Sequence, residues 1–122
     1  MSKLLIYIGE NKKFDVDVTV NTIKSLRGVS NARTGEFIGA IFECEYTSNG
    51  QNTVVRMSPD SETITVEGLG DESIVFALEL QQALTIPLHA IDMEYTFNLA
   101  LSNFRSVSEF KQAMQVASDF RI

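Results

Sequence analysis

The sequence predicts an α+β fold: a mainly antiparallel sheet of about six or seven strands built from hairpins, two principal helices over residues 72–84 and 107–118, and a short helix near 20–27. Three observations predict it. Short runs of apolar–polar alternation, the period of a half-buried strand, fill much of the chain. Asn49-Gly50 between two such runs is the strongest short hairpin signal, because a type I′ turn needs positive φ at both central residues. Two segments late in the chain change to helical spacing, so strands and helices are grouped and do not alternate as in βαβ units. With 122 residues, 44% hydrophobic and 21% charged, the chain has material for one core, and a single domain over 1–122 follows. One cysteine allows no internal disulfide.

The elements are justified in order. Leu4 to Ile8 is apolar on both faces, which reads as a central, doubly buried strand. Gly9 to Lys13 is a polar turn. Phe14, Val16, Val18 and Val20 alternate with Asp15, Asp17 and Thr19, so residues 14–20 read as a half-buried strand with its acids in water. Val20, Ile23 and Leu26 have helical spacing, and Gly28 to Gly35 reads as a loop. Ile38, Ala40, Phe42, Cys44 and Tyr46 line one strand face. Turning at Asn49-Gly50 sets Tyr46 opposite Thr53, Cys44 opposite Val55 and Phe42 opposite Met57, with the pair Glu43 and Arg56 on the other face. Ser58-Pro59-Asp60-Ser61 is a turn, and Ile64 and Val66 mark the next strand. Gly68-Leu69-Gly70 ends it, Asp71 is a candidate N-cap, and the helix that follows is apolar over most of its circumference until Pro87 blocks continuation. Leu88 to Ile91 is a short strand and Asp92-Met93 a turn. Tyr95, Phe97, Leu99 and Leu101 line one face of a further strand. Ser106-Val107-Ser108-Glu109 is a capping box, and Val107, Phe110, Met114 and Ala117 form the stripe of a terminal helix reaching toward Asp119.

The net charge of −6 is concentrated in one place. Residues 1–56 carry six acids and seven bases, and residues 105–122 carry two acids and three bases. The 48 residues between hold eight acids and no Lys or Arg: Asp60, Glu62, Glu67, Asp71, Glu72, Glu79, Asp92 and Glu94. Such a field repels a phosphate backbone, which disfavours direct nucleic-acid binding, and attracts a basic protein. A plain solvated surface that keeps the chain soluble is the competing reading. The first apolar run is five residues long, too short for a secretory signal or a membrane span, so a cytoplasmic protein is expected.

Little in the sequence argues for catalysis. His89 and Cys44 are single, and no metal-ligand spacing surrounds them. A Cys44–His89–Asp92 triad is formally conceivable, but Cys44 alternates with core residues and reads as a packed thiol. Gly68-Leu69-Gly70-Asp71-Glu72 has the form of a phosphate loop, yet its two acids stand where a phosphate would sit. Asp92 and Glu94, two apart on a strand, could couple for acid–base work but have no nearby partner. The chain is therefore expected to be no enzyme and to need no cofactor or metal.

Phe76-Ala77-Leu78-Glu79-Leu80-Gln81-Gln82-Ala83-Leu84, then Pro87-Leu88-His89-Ala90-Ile91-Asp92, then Tyr95-Thr96-Phe97-Asn98-Leu99 and Ser106-Val107-Ser108-Glu109-Phe110, resemble small α+β immunity proteins of bacterial polymorphic toxin systems, including contact-dependent growth inhibition. The resemblance spans residues 68–117 and rests on core and capping positions. It implies a cytosolic, non-enzymatic protein that binds and neutralises a cognate toxin domain, and such proteins are often acidic where the toxin is basic. The rim acids Asp60, Glu62, Glu67, Asp71, Glu72, Asp92 and Glu94 are then the expected contact residues, gathered into one patch that complements a nuclease-type basic cleft, while mid-helix Glu79 stands apart. The alternative is a small-molecule-binding or regulatory domain with a pocket between sheet and helix lined by Tyr46, Phe97 and His89.

Overall fold

The computed structural model describes residues 3–37 and 39–119. Its elements are β1 (Lys3–Tyr7), α1 (Val16–Ser25), β2 (Val29–Phe37), β3 (Ala40–Ser48), β4 (Gln51–Met57), β5 (Thr63–Glu67), α2 (Asp71–Ala83), β6 (His89–Asp92), β7 (Asn98–Ala100), a 3₁₀ turn (Leu101–Asn103) and α3 (Val107–Asp119). The fold is α+β. Seven strands form one antiparallel sheet in the order β2-β3-β4-β5-β1-β6-β7.

Strand alternation sorts the side chains. Leu4 and Ile6, Phe42, Cys44 and Tyr46, Val55 and Met57, Ile64 and Val66, and Ala90 all turn toward one face and are buried. α2 lies against β3 and β4 on that face, with α1 and α3 packed beside it. Being covered by sheet and two helices explains why Ile74, Phe76, Ala77, Leu78 and Leu80 are all buried on one helix. The opposite sheet face is open. β1 is central, as its composition suggests, but it is not doubly buried: Leu5 and Tyr7 stand on the open face, partly screened by neighbouring strands.

The 36–57 hairpin has the expected register, Phe42↔Met57, Cys44↔Val55 and Tyr46↔Thr53, with Glu43↔Arg56 on the open face. Asn49 (φ 52°) and Gly50 (φ 78°) both take the left-handed conformation that the turn requires. Ile38, expected on the same face as Ala40, lies outside the described residues.

Several elements differ from expectation. Residues 14–20 are not a strand; α1 begins at Val16. Asp15 caps it, its Oδ1 accepting from the Val18 N–H at 3.1 Å, and Thr19, Val20 and Ile23 form the buried helical stripe. The alternating valines misled because Val16 and Val18, 36% and 55% exposed, are surface residues of that helix. The expected loop at 28–35 is the edge strand β2. Its pairing with β3 shifts between Ser30 and Arg33 and again between Thr34 and Phe37, so no period of two survives in the sequence. Asp71 is not the N-cap of α2. Gly70 takes that position, and Asp71, the first helical residue, binds Lys111 Nζ at 3.0 Å on α3. β7 is only three residues long, because Asp92 caps the preceding turn, Tyr95 turns left-handed (φ 56°), and Leu101 enters the 3₁₀ turn. At α3 the Ser106 Oγ accepts from the Glu109 N–H at 3.2 Å, but the Glu109 carboxylate reaches back to the Arg105 N–H, one residue before a standard capping box.

Gly28 joins α1 to β2 at a point of close approach. A Cβ there would lie 2.4 Å from the Thr47 carbonyl oxygen and 2.8 Å from the Tyr46 ring. The backbone oxygen cannot yield, since the Thr47 N–H donates to Gly28 O in the same contact. Gly28→Ala is expected to cost about 1–3 kcal/mol, and the urea midpoint of the variant measures it.

Candidate functional site

The rim acids do not gather into one patch. β5 separates Asp60 and Glu62 at its start from Glu67, Asp71 and Glu72 at and beyond its end, and β6 ends at Asp92, beside the latter group, because Leu4 pairs with both Val66 and Asp92. Several of the acids are also engaged within the fold. Asp60 accepts from Ser58 Oγ at 2.6 Å and from the Glu62 N–H at 3.0 Å, and the Ser58 bond foremost holds its carboxyl below the ordinary range. Glu67 pairs with Arg56 at 2.8 Å and Lys3 at 3.5 Å. Asp71 pairs with Lys111. Asp92 is only 4% exposed and accepts from both the N–H and the hydroxyl of Thr96. It is a turn-forming residue, not a surface carboxylate. Among the described residues, the side-chain carboxylates of Glu62, Glu72 and Glu94 have no hydrogen-bond or ion-pair partner.

On the open sheet face one row of facing residues crosses all seven strands: Arg33, Glu43, Arg56, Thr65, Leu5, Ile91 and Asn98. Its two halves differ in chemistry. In the β2–β5 half, Glu43 binds Arg33 and also Arg56 at 2.7 Å, and Arg56 continues to Glu67. The Arg33 hydrogen bond, then that of Arg56, keeps the Glu43 carboxyl below its usual range, while the Glu43 bond raises Arg56. Charges here neutralise one another.

The β1–β6–β7 half is apolar and aromatic. Leu5 and Ile91 form the floor of a cavity of about 640 Å³, which Tyr7, Tyr95, Asn98, Glu10 and Glu62 also line. Asn98 Nδ2 donates to the Tyr7 hydroxyl at 2.8 Å, and the Tyr7 ring lies 5.4 Å from that of His89. Those contacts hold Tyr7 in place. Glu10 was missed at the level of sequence because it lies in the charge-balanced first part of the chain. Tyr7 could have been found, since it shares its strand face with Leu5.

The other candidates separate. Cys44 is on β3, facing the core, and His89 is on β6, facing outward. Four strand steps lie between them in the sheet, roughly 19 Å. No triad forms. Nor do Tyr46, Phe97 and His89 line one pocket: Tyr46 packs on Phe76 and donates to Glu79, whereas Phe97 packs on Phe110. Burial, more than Glu79, raises the Tyr46 phenol. Burial first, then Glu43 and Glu45, pushes the Cys44 thiol from its ordinary 9.0 up to about 12. A folded-state value above the unfolded one means the unfolded chain releases its proton first, so stability falls as pH rises from about 9 toward 12. Cys44→Ala is expected to lose this part of the alkaline slope and to cost roughly 1 kcal/mol or more near neutrality through lost contacts. Urea titrations of both proteins at several pH values read both effects.

Among the described residues no group of three or more His, Cys, Asp or Glu is placed to hold a metal ion, and no helix is long and apolar enough to cross a membrane. Comparison with known proteins yields no match: no family model fits the chain, and neither a curated protein nor a solved structure is significantly similar to it.

Proposed function

We propose that the chain is a non-enzymatic binding protein that docks on and neutralises a basic toxin domain, the role implied by its resemblance to immunity proteins. The observation that carries this reading is the pairing of Glu10 and Glu62 in the lining of an open cavity beside Tyr7 and Tyr95. Carboxylates next to exposed aromatic surface offer what a protein interface uses: charge for steering and rings as anchors. The surplus of 16 acids over 10 bases supports it. The split of the acids means that steering acts from two ends, Asp60 and Glu62 at one and Glu72 and Glu94 at the other, where Glu67 and Asp71 are already paired with Lys and Arg. Asp92 drops out as a contact.

The test is whether a toxin-like C-terminal domain is encoded beside this chain and is captured by it, followed by association kinetics. The double variant Glu10→Gln/Glu62→Gln is expected to slow association several-fold at low salt and to flatten its salt dependence, leaving the fold intact. An association rate indifferent to salt, or an acidic partner, would overturn the electrostatic reading.

A further inference from the structure

We infer that the edge of β7, with the groove between β7 and α3 beside it, is the docking site for an extended basic segment of the partner, which joins the sheet as a further strand. This rests on the binding role above and names its mode. The sheet ends at β7, with no strand beyond it among the described residues. The ladder with β6 fixes which backbone groups look outward. The Leu101 N–H donates to the Leu88 carbonyl at 2.9 Å, so the alternation of an antiparallel pair turns Leu99 toward Ala90 and turns Asn98 and Ala100 away from β6. The Asn98 N–H and C=O and the Ala100 N–H therefore stand along the edge, spaced for an incoming strand. The opposite edge of the sheet is built differently. β2 shifts register against β3 twice, with Asn31 left-handed at φ 52°, and such bulges twist an edge away from added strands.

Side chains set what the segment must carry. Leu99, with Ala113, Val116 and Ala117 of α3, lines a cavity of about 470 Å³ beside the edge, and Val116 is 48% exposed. Alternate residues of an added strand enter this groove, so they are apolar. Glu109, whose carboxylate accepts from the Arg105 N–H at 2.8 Å, lines the same groove, and no Lys or Arg does. A basic residue beside the apolar ones is its complement. Charge also selects among occupants: a second copy would bring another −6 to the contact, whereas a basic segment is attracted. The edge strand is only three residues long, so the groove supplies the affinity that a few backbone hydrogen bonds cannot. On the open face the Asn98 side chain lines the cavity that Tyr7 also lines, so a strand laid along β7 borders the surface already assigned to binding.

The experiment begins without a cognate partner. The ¹⁵N-labelled full chain is titrated with a blocked hexapeptide alternating lysine and valine, with its glutamate–valine counterpart, and with the lysine–valine peptide N-methylated throughout, following amide shifts by NMR. The expected result is saturable shifts from the lysine peptide at Asn98, Leu99, Ala100, Ala113 and Val116, weaker ones from the glutamate peptide and none from the N-methylated one. Ala100→Pro removes the outward N–H alone, since Ala100 has φ −78° and ψ 116° and its N–H points away from β6. Val116→Glu places a charge in the groove at an exposed position. Each should weaken binding at least about threefold; the same spectra show whether each is folded, and if one is not, the other decides. No saturable shift, shifts centred on β2 or on Leu5 and Ile91, equal binding of the glutamate or N-methylated peptide, or folded variants that bind as the parent does would overturn the inference. Shifts at Asn98–Ala100 that follow protein concentration without peptide would also overturn it, making a second copy the occupant. Capture of a toxin domain unaffected by either substitution would overturn the edge as docking site and keep the binding role. Peptide binding at the edge without toxin capture would keep the docking site and remove that role.

Discussion

Phe76→Ala is expected to lower stability by about 3–5 kcal/mol, the largest effect of any substitution considered for this chain. Phe76 is fully buried in α2, the helix packed against β3, β4 and both other helices. Its ring meets Tyr46 edge-on, 5.2 Å away at 69°, and Tyr46 in turn anchors Glu79 on the same helix. Truncation removes buried ring surface and an aromatic pair, and leaves a cavity between sheet and helix that rigid strands cannot close. Since a domain of this size has only about 5–15 kcal/mol in total, the variant should be unfolded in a substantial fraction at physiological temperature. Calorimetry and the urea midpoint measure it. A change under 1 kcal/mol would mean that α2 does not pack on β3 as described.

Asp92→Ala should cost about 2–3 kcal/mol without any direct effect on partner binding. Its carboxylate holds the Thr96 N–H at 2.7 Å and the Thr96 hydroxyl, closing the turn that leads to Tyr95 and β7. Alanine leaves two partly buried donors without an acceptor. Asp92→Asn, which keeps one side-chain oxygen as an acceptor, should recover part of the loss. If Asp92 instead touched a partner, substitution would change affinity at unchanged stability, and a urea titration beside a binding measurement separates the two.

The legible parts of the fold were those where local and tertiary preferences agree. Asn49-Gly50 and the alternation from Ala40 to Tyr46 set a register that survives at every pair. β2 was illegible because an edge strand paired on one side only, with two register shifts, has no face whose residues must all be apolar. Residues 14–20 carried two periods at once, and the cap at Asp15 together with burial of Val20 and Ile23 decided for the helix. The acids were countable in sequence but their engagement was not. Asp92 closes a turn and Asp71 reaches forty residues along the chain to Lys111, and neither contact leaves a mark in composition. The cavity joins Glu10 to Tyr95 across β1 and β6, which only the strand order reveals.

The strand order also bears on how the chain folds. β2 to β5 are successive antiparallel neighbours that can zip together through short turns. β1 cannot join them until β5 exists, because Leu4 pairs with Val66, and its other side waits still longer for Asp92. Closing loops of that length carries an entropic penalty before any contact rewards it. Folding is therefore expected to be limited by insertion of the first strand into a preformed four-strand meander. Substitutions at Leu4 or Ile6 should slow refolding more than equally buried ones in the 36–57 hairpin hasten unfolding. The strand that precedes all the others in the sequence would thus be among the last to find its place.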